Sequence, residues 1–295
     1  MKEILEFRIF DNYYYLLSKP NPAVYNGSIY ILHITKDDPL FEEIHQLNNF
    51  VKRKHDEGFA MYIYTKRIYT KKELDEAELF YVKIKPYFEP VGEECGTIYD
   101  ETVACPICKA GRKQMSHLIL KRGSIPKKDI ARTIAGEGEV VLSAKFKSIF
   151  EQRGLKGISF NPVMFGKNVV ADYYQLNPLI QLDIADKTVT GMDPWNFPES
   201  SEGGEYMIQG YKIEYESQVF KCPKGHIVGA NLLSEAYIKN SPLIKENDFF
   251  ATRQKIGSKL GVIYPDPIYL CSPAFRNMVL EEKLKGFDFE VAHIE

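Results

Sequence analysis

The chain has 295 residues, enough for one large domain or two small ones, and its 44% hydrophobic and 26% charged residues are typical of a globular protein. It contains no apolar stretch of the roughly 18 residues that a membrane span requires, and acidic residues at positions 3, 6 and 11 argue against a signal peptide. From these two features we expect a cytoplasmic protein with no membrane partner. A net charge of −2 argues against nucleic-acid binding through overall electrostatics.

Residues 1–90 are expected to form an N-terminal region of sheet and helix. The stretches FAMYIYTKRIY (59–69) and AELFYVKIK (77–85) place aromatic and β-branched residues at alternate positions, which predicts two strands. The stretch DDPLFEEIHQLNNFVKRKHDEG (37–58) predicts a helix that Asp38 caps and Gly58 ends, with Pro39 in its first turn. Its apolar face consists of Leu40, Phe41, Ile44, Leu47 and Val51.

Two later segments share one pattern. SAKFKSIFEQRGLKGISF (143–160) and SPAFRNMVLEEKLKGFDF (272–289) each begin with a serine placed to cap a helix, and each continues with apolar residues at helical spacing. Both end in Leu-Lys-Gly and a short alternating strand, and a strand is predicted directly before each serine. The sequence therefore predicts two diverged strand–helix–strand modules, the first in residues 91–165 and the second in residues 219–295.

Residues 166–218 are expected to connect the two modules. They contain the turn-rich, acidic stretch GMDPWNFPESSEGGE (191–205), which predicts an exposed loop. Its Trp195, between Pro194 and Pro198, is a candidate anchor for a partner protein. The alternative is that Trp195 only pins its own loop to the core.

A basic segment runs from Lys109 to Arg132 and contains a single acid, Asp129. Such a segment is either a solvated face without a partner or a surface for a charged partner. The candidate contact residues are Lys109, Arg112, Lys113, Lys121 and Arg122.

A Cys-Pro turn precedes each of the two modules. The first, ACPICKAG (104–111), carries Cys105 and Cys108, and a C-P-x-C turn places two thiolates on one side of a metal ion. The second, VFKCPKGHIVG (219–229), carries Cys222 but has Gly225 where a second cysteine is expected, followed by His226. Because thiolate and imidazole are both ordinary zinc ligands, these two turns predict a structural Zn²⁺ site made of Cys105, Cys108, Cys222 and His226.

Three alternatives to this ligand set remain open. Cys95 could replace His226 if the residues TIYDETV (97–103) form a hairpin that carries it back beside the first turn. The cysteines could also be reduced thiols without a metal, or Cys105 and Cys108 could exchange disulfides.

Cys271, which aligns with Leu142 in the repeat, is predicted to be a small buried apolar residue.

The Cys-Pro turns and the segments that follow them resemble a group of bacterial proteins with a doubled C-x-x-C-G motif, related to immunity proteins of contact-dependent and other polymorphic toxin systems. The resemblance covers roughly residues 91–295 and leaves the first ninety residues uncovered. It implies a protein with a zinc-ribbon scaffold that neutralises a partner toxin by binding it. This chain departs from the motif because Lys109 follows Cys108 and Gly225 replaces a cysteine.

We therefore expect an α+β protein in which an N-terminal sheet-and-helix region precedes two modules joined by a zinc-ribbon-like site. The expected function is non-enzymatic binding of a protein partner such as a toxin, since the chain has no P-loop, dinucleotide fingerprint or H-E-x-x-H motif. Two alternatives belong to other classes: a nucleic-acid-associated zinc ribbon that uses the basic segment, and a metal-dependent hydrolase.

Overall fold

The computed structural model describes residues 1–18, 23–55, 58–134, 137–191, 204–208, 211–216, 219–220, 224, 226, 231–256 and 265–295. They form mixed α+β structure with more strand than helix, which confirms the predicted fold class at this level. They divide into two compact units, an N-terminal unit of residues 1–75 and a C-terminal unit that begins at Glu76. No helix among the described residues combines the length and the apolar character that a membrane crossing requires.

The N-terminal unit is an antiparallel sheet with one long helix. In chain order its elements are β1 (Lys2–Phe10), α1 (Asp11–Tyr14), β2 (Val24–Tyr25), β3 (Ile29–Ile34), α2 (Pro39–His55), β4 (Ala60–Ile68) and α3 (Lys71–Glu76). The strands lie in the order β2-β3-β1-β4. Leu5, Phe7 and Ile9 alternate along β1, are fully buried, and form one core with Ile44 and Val51 of α2.

The predicted helix is confirmed in position, cap and buried face. It begins at Pro39, and the backbone N–H of Leu40 donates a hydrogen bond to Asp38 Oδ1 at 3.0 Å, so the carboxylate satisfies one of the free donors of the first turn. Basic residues occupy its last turn, where a positive charge is favourable to the helix dipole.

The C-terminal unit begins with short strands around the first Cys-Pro turn and continues into longer strands. The elements before residue 190 are β5 (Leu79–Ile84), β6 (Tyr87–Phe88), a 3₁₀ turn (Glu93–Cys95), β7 (Tyr99–Asp100), β8 (Lys113–Gln114), β9 (Leu118–Ile119), β10 (Ile130–Thr133), β11 (Val140–Ser143), α4 (Ala144–Gln152), β12 (Ile158–Phe165), β13 (Asn168–Pro178) and β14 (Gln181–Leu182). Those that follow are β15 (Thr190–Gly191), β16 (Gly204–Ile208), β17 (Tyr211–Glu216), β18 (Val219–Phe220), β19 (Asn231–Leu232), β20 (Ala236–Ile238), α5 (Leu243–Glu246), β21 (Phe249–Ile256), β22 (Asp266–Cys271), α6 (Pro273–Glu281) and β23 (Phe287–Ile294).

The longer strands before residue 190 and most of those after residue 230 form two six-stranded sheets in this unit. Their described strands follow the orders β6-β10-β11-β13-β12-β9 and β14-β21-β22-β5-β23-β20. In the first sheet, β13 separates β11 from β12; in the second, β5 separates β22 from β23. The strand Leu79–Ile84, which the sequence assigned to the N-terminal region, therefore lies at the centre of a sheet built mainly from the end of the chain.

Strand, helix and strand follow one another twice, as β11-α4-β12 and β22-α6-β23. Both predicted caps are confirmed: Ser143 Oγ accepts a hydrogen bond from the N–H of Phe146 at 3.0 Å, and Ser272 Oγ accepts one from the N–H of Phe275 at 3.2 Å. Cys271 is fully buried, as predicted, and burial raises the pKa of its thiol, so it behaves as an inert apolar residue.

Each of the two segments holds the Leu-Lys-Gly turn of the other through one aspartate. Asp129, just before β10, accepts hydrogen bonds from the Ser143 hydroxyl at 2.9 Å and from the backbone N–H of Lys285 at 2.7 Å. Asp248, just before β21, accepts the equivalent bonds from the Ser272 hydroxyl at 2.8 Å and from the N–H of Lys156 at 2.9 Å. The contacts are reciprocal, so the two segments are related by an approximate two-fold operation.

Aromatic side chains fill the space between the two helices. The ring of Phe146 on α4 lies 5.8 Å from that of Phe275 on α6 and 5.6 Å from that of Phe287 on β23. Phe146 and Phe275 are completely buried. Aromatic pairs at such distances contribute about 0.5–1.5 kcal/mol each beyond the burial of their area, so this cluster ties the two segments together.

Candidate metal centre

The first Cys-Pro turn is a compact loop closed by its own backbone. The N–H of Cys105 donates to the carbonyl of Ala110 at 2.9 Å, and the N–H of Lys109 donates to the carbonyl of Cys105 at 2.9 Å. Lys109 adopts φ +61°, in the left-handed region that favours glycine. The loop thus keeps the backbone shape of a C-x-x-C-G turn although a lysine stands in the glycine position.

Both cysteines of this loop are buried, and hydrogen bonds converge on the thiol of Cys105. Burial raises the pKa of the Cys105 thiol, but hydrogen bonds from the backbone N–H groups of Cys108 and Ile107, and from the side chains of Cys108 and His226, outweigh it and lower the pKa to about 6. The thiolate, not the thiol, is the form that binds metals. The backbone donors at Sγ of Cys105 therefore favour the thiolate, the form of this side chain that a metal ion would bind.

His226 reaches this loop from far along the chain. Its Nδ1 lies 3.5 Å from Sγ of Cys108, and the ligand atoms of Cys105, Cys108 and His226 are all within 4.8 Å of one another. In a tetrahedral zinc site with Zn–S bonds of about 2.3 Å and Zn–N bonds of about 2.0–2.1 Å, a sulfur and a nitrogen ligand lie about 3.6 Å apart. The observed separation fits that geometry.

No model of a known protein family and no curated protein matches this chain. The chemistry of the donor set is therefore the guide to the ion. Two soft thiolates with one imidazole suit zinc, whereas carboxylate and carbonyl sets suit magnesium or calcium. Cys222, the predicted fourth ligand, and Gly225 lie outside the described residues.

Cys95 is not a member of the described cluster. It ends the 3₁₀ turn Glu93–Cys95, and burial, with the nearby charges of Glu139 and Glu94, raises the pKa of its thiol, against a hydrogen bond from the backbone of Lys121. Within residues 97–103, the possible hairpin of that alternative, Tyr99 and Asp100 form β7, which pairs with β8 (Lys113–Gln114) on the far side of the first Cys-Pro turn. Of the two alternative fourth ligands, the structure brings only His226 to the first turn.

A buried polar network that the sequence did not reveal is centred on Glu139. The carboxylate of Glu139, which has no exposed surface, accepts hydrogen bonds from Tyr99 Oη at 2.6 Å, Thr133 Oγ1 at 2.8 Å and the N–H of Gly92 at 2.8 Å. Burial and the Glu139 charge raise the pKa of Tyr99, which keeps the phenol protonated as a donor. No local motif marks Glu139, because its partners come from three separate segments.

The basic segment does not form one continuous surface. Arg112, which we expected to face a partner, is instead buried: its guanidinium lies 3.7 Å above the Tyr99 ring and 2.8 Å from Glu93 Oε2. Arg132 is paired with Asp266. Lys113, Lys121 and Arg122 are exposed and Lys109 is half-buried. Trp195 lies outside the described residues.

Replacing His226 with alanine should lower the zinc content of the purified protein, because the cluster of described residues would lose its nitrogen donor. Cys95→Ala is the matched control, and we expect it to keep the zinc content of the unaltered protein since Cys95 lies away from the cluster. Metal analysis of protein purified without added zinc measures both. The reverse result, with zinc lost from Cys95→Ala and kept by His226→Ala, would overturn this assignment of ligands.

Proposed function

We propose that this chain is a non-enzymatic binding protein of the toxin-immunity type that acts in the cytoplasm and holds one structural zinc ion. The observation that carries the proposal is the convergence of Cys105, Cys108 and His226, two residues of one Cys-Pro turn and one residue of the other. Cys222 would complete the set. Zinc bound there would connect segments that are 118 positions apart, which is the task of a structural site.

A structural role is favoured over the alternative of a metal-dependent hydrolase by the number of protein ligands. A catalytic zinc ion keeps one position for water or substrate, whereas four protein ligands close the tetrahedron. With Cys222 as the fourth ligand, no such position remains. The burial of both thiols of the first turn is consistent with a closed site.

Ion pairs that cations of the basic segment form within the chain favour a protein partner over a nucleic acid. Phosphate binding depends on several cations that are free to replace counterions. Here Arg112 and Arg132, two of the eight cations, already form ion pairs within the chain. The remaining cations suit a local contact with an acidic protein surface better than a continuous phosphate track.

The direct test is co-expression with the polypeptide encoded immediately upstream of this chain. If the proposal is correct, that polypeptide is toxic when expressed alone, this chain forms a complex with it, and cell survival returns to that of an empty vector. An alanine variant at His226 should protect less well, while Cys95→Ala protects fully. Survival that is the same with and without this chain would refute the toxin-immunity role, whatever the zinc content.

A further inference from the structure

A cluster of lysines lies on the surface where the two segments of the C-terminal unit hold each other through Asp129. The backbone N–H of Asp129 donates to the carbonyl of Lys285 at 2.9 Å, and Asp129 Oδ2 accepts from the N–H of Lys285 at 2.7 Å. Lys145, in the first turn of α4, reaches the same turn with its Nζ 3.4 Å from the carbonyl oxygen of Glu282. We call the exposed lysines of this surface the lysine patch: Lys127, Lys128, Lys145, Lys283 and Lys285.

The acidic residues nearest to the patch in sequence do not neutralise it. Glu281 and Glu282, at the end of α6, both pair with Arg153. Asp288, on β23, pairs with Lys85. Within the described part of the chain, none of the five lysines of the patch forms an ion pair, and all five are exposed. The patch therefore presents positive charge to the solvent.

The second contact between the two segments shows that folding does not require this charge. Its Asp248 accepts the same two hydrogen bonds as Asp129, from a helix-capping serine and from the turn of the other segment. The strands that begin one residue after each aspartate have the same register. At the five positions equivalent to the lysine patch, the second contact has Glu246, Asn247, Ala274, Gly154 and Lys156. One cation and one anion thus stand where the first contact has five cations, although both contacts pack alike.

An exposed group of cations attracts an anionic partner, and two features favour protein carboxylates over nucleic-acid phosphates. The patch consists of lysines alone, whereas arginine, with its planar fork of donors, is the more frequent choice for phosphate. The ion pairs of Glu281, Glu282 and Asp288 lie within three residues of the patch in sequence. The positive charge is therefore local and does not continue as a track for a nucleic-acid backbone.

We propose that the lysine patch binds an acidic segment of a partner protein, with several Asp or Glu carboxylates facing the lysines. The inference rests on the proposed function in taking the partner to be a protein, and it adds which surface that partner contacts and which charge it presents there. Because both segments contribute lysines, a partner bound at the patch contacts both of them at once.

The test is titration of a fluorescein-labelled decaglutamate peptide with the full chain, at low salt and then at increasing salt. Lys127→Glu with Lys285→Glu should weaken binding about tenfold or more, because each reversal turns an attraction into a repulsion. Lys156→Glu with Lys245→Glu is the matched control, since it changes the net charge equally but at the second contact. It should bind within about threefold of the unaltered chain, because exposed charges beyond the screening length interact weakly.

Carbodiimide cross-linking, which joins carboxylates to lysine amines, should attach the peptide to lysines of the patch. Equal losses for the two double variants, no binding at low salt, or cross-links mainly on other lysines would overturn this inference. So would tighter binding of decathymidylate that the patch variant loses, because the patch would then select phosphate. The cross-linking uses the unaltered chain, so it decides the matter even if a variant fails to fold. Neither measurement needs the toxin or zinc, so their outcome is independent of the survival test of the toxin-immunity role.

Discussion

Replacing Cys108 with serine is expected to reduce the bound zinc from about one ion per chain to almost none and to lower the free energy of unfolding by at least about 3 kcal/mol. Binding energy at a structural zinc site is folding energy, and apparent values in small zinc domains are about 10–16 kcal/mol. Cys108 is fully buried and its Sγ lies 3.5 Å from Nδ1 of His226, so serine removes a ligand at the centre of the cluster. Metal analysis and urea unfolding of the same preparation measure the two effects.

Cys271→Ser is the matched control for this experiment. Cys271 is as deeply buried as Cys108 but belongs to β22, away from the cluster. Burying a hydroxyl there should cost about 1–3 kcal/mol while the zinc content stays unchanged. Zinc that remains bound to Cys108→Ser at the level of the unaltered chain, or unaltered protein that is folded and free of zinc, would refute the structural metal site.

Replacing Gly286 with alanine is expected to lower the free energy of unfolding by about 3–5 kcal/mol, the range seen when backbone strain and a steric clash coincide. Gly286 has φ +109°, and a Cβ atom there would overlap the carbonyl oxygen of Ile130. Gly157, at the equivalent point of the other Leu-Lys-Gly turn, also has φ +109° and would overlap the carbonyl oxygen of Phe249. Alanine at either position should therefore separate the two segments.

Gly154→Ala distinguishes the clash from the strain. Gly154 also has a positive φ, +66°, but a Cβ atom there would meet nothing within 4 Å. This variant should lose only about 1 kcal/mol, the ordinary penalty of a side chain in the left-handed region. If urea unfolding shows the same loss for Gly154→Ala and Gly286→Ala, the close approach of the two segments contributes nothing to stability.

The sequence predicted the local structure well where one short stretch contains all the information. Asp38 and Pro39 defined the start of α2, and Ser143 and Ser272 defined the starts of α4 and α6, because a cap and its helix are neighbours in the chain. Pairing between distant segments was not predictable in this way. Nothing in the residues of β5 indicates that they pair with β22 and β23, which lie near the other end of the chain.

The same distinction applies to the candidate site: residues marked by a short motif were predicted, and contacts between distant segments were not. Residue type and spacing identified Cys105 and Cys108 as a pair, and the second Cys-Pro turn identified His226 as a candidate that the structure places beside them. The burial of Arg112 was missed, because its partners Tyr99 and Glu93 come from β7 and from the turn before it.

The reciprocal aspartates have a consequence for the newly made chain. Asp129 lies 156 positions before Lys285, the residue whose backbone it binds. At a synthesis rate of roughly 5–20 residues per second, the ribosome needs roughly 8–30 s to produce that partner. During this interval Ile130, whose backbone N–H bonds the carbonyl of Lys285, is translated without that partner, so the nascent chain is open to mispairing there until Lys285 emerges.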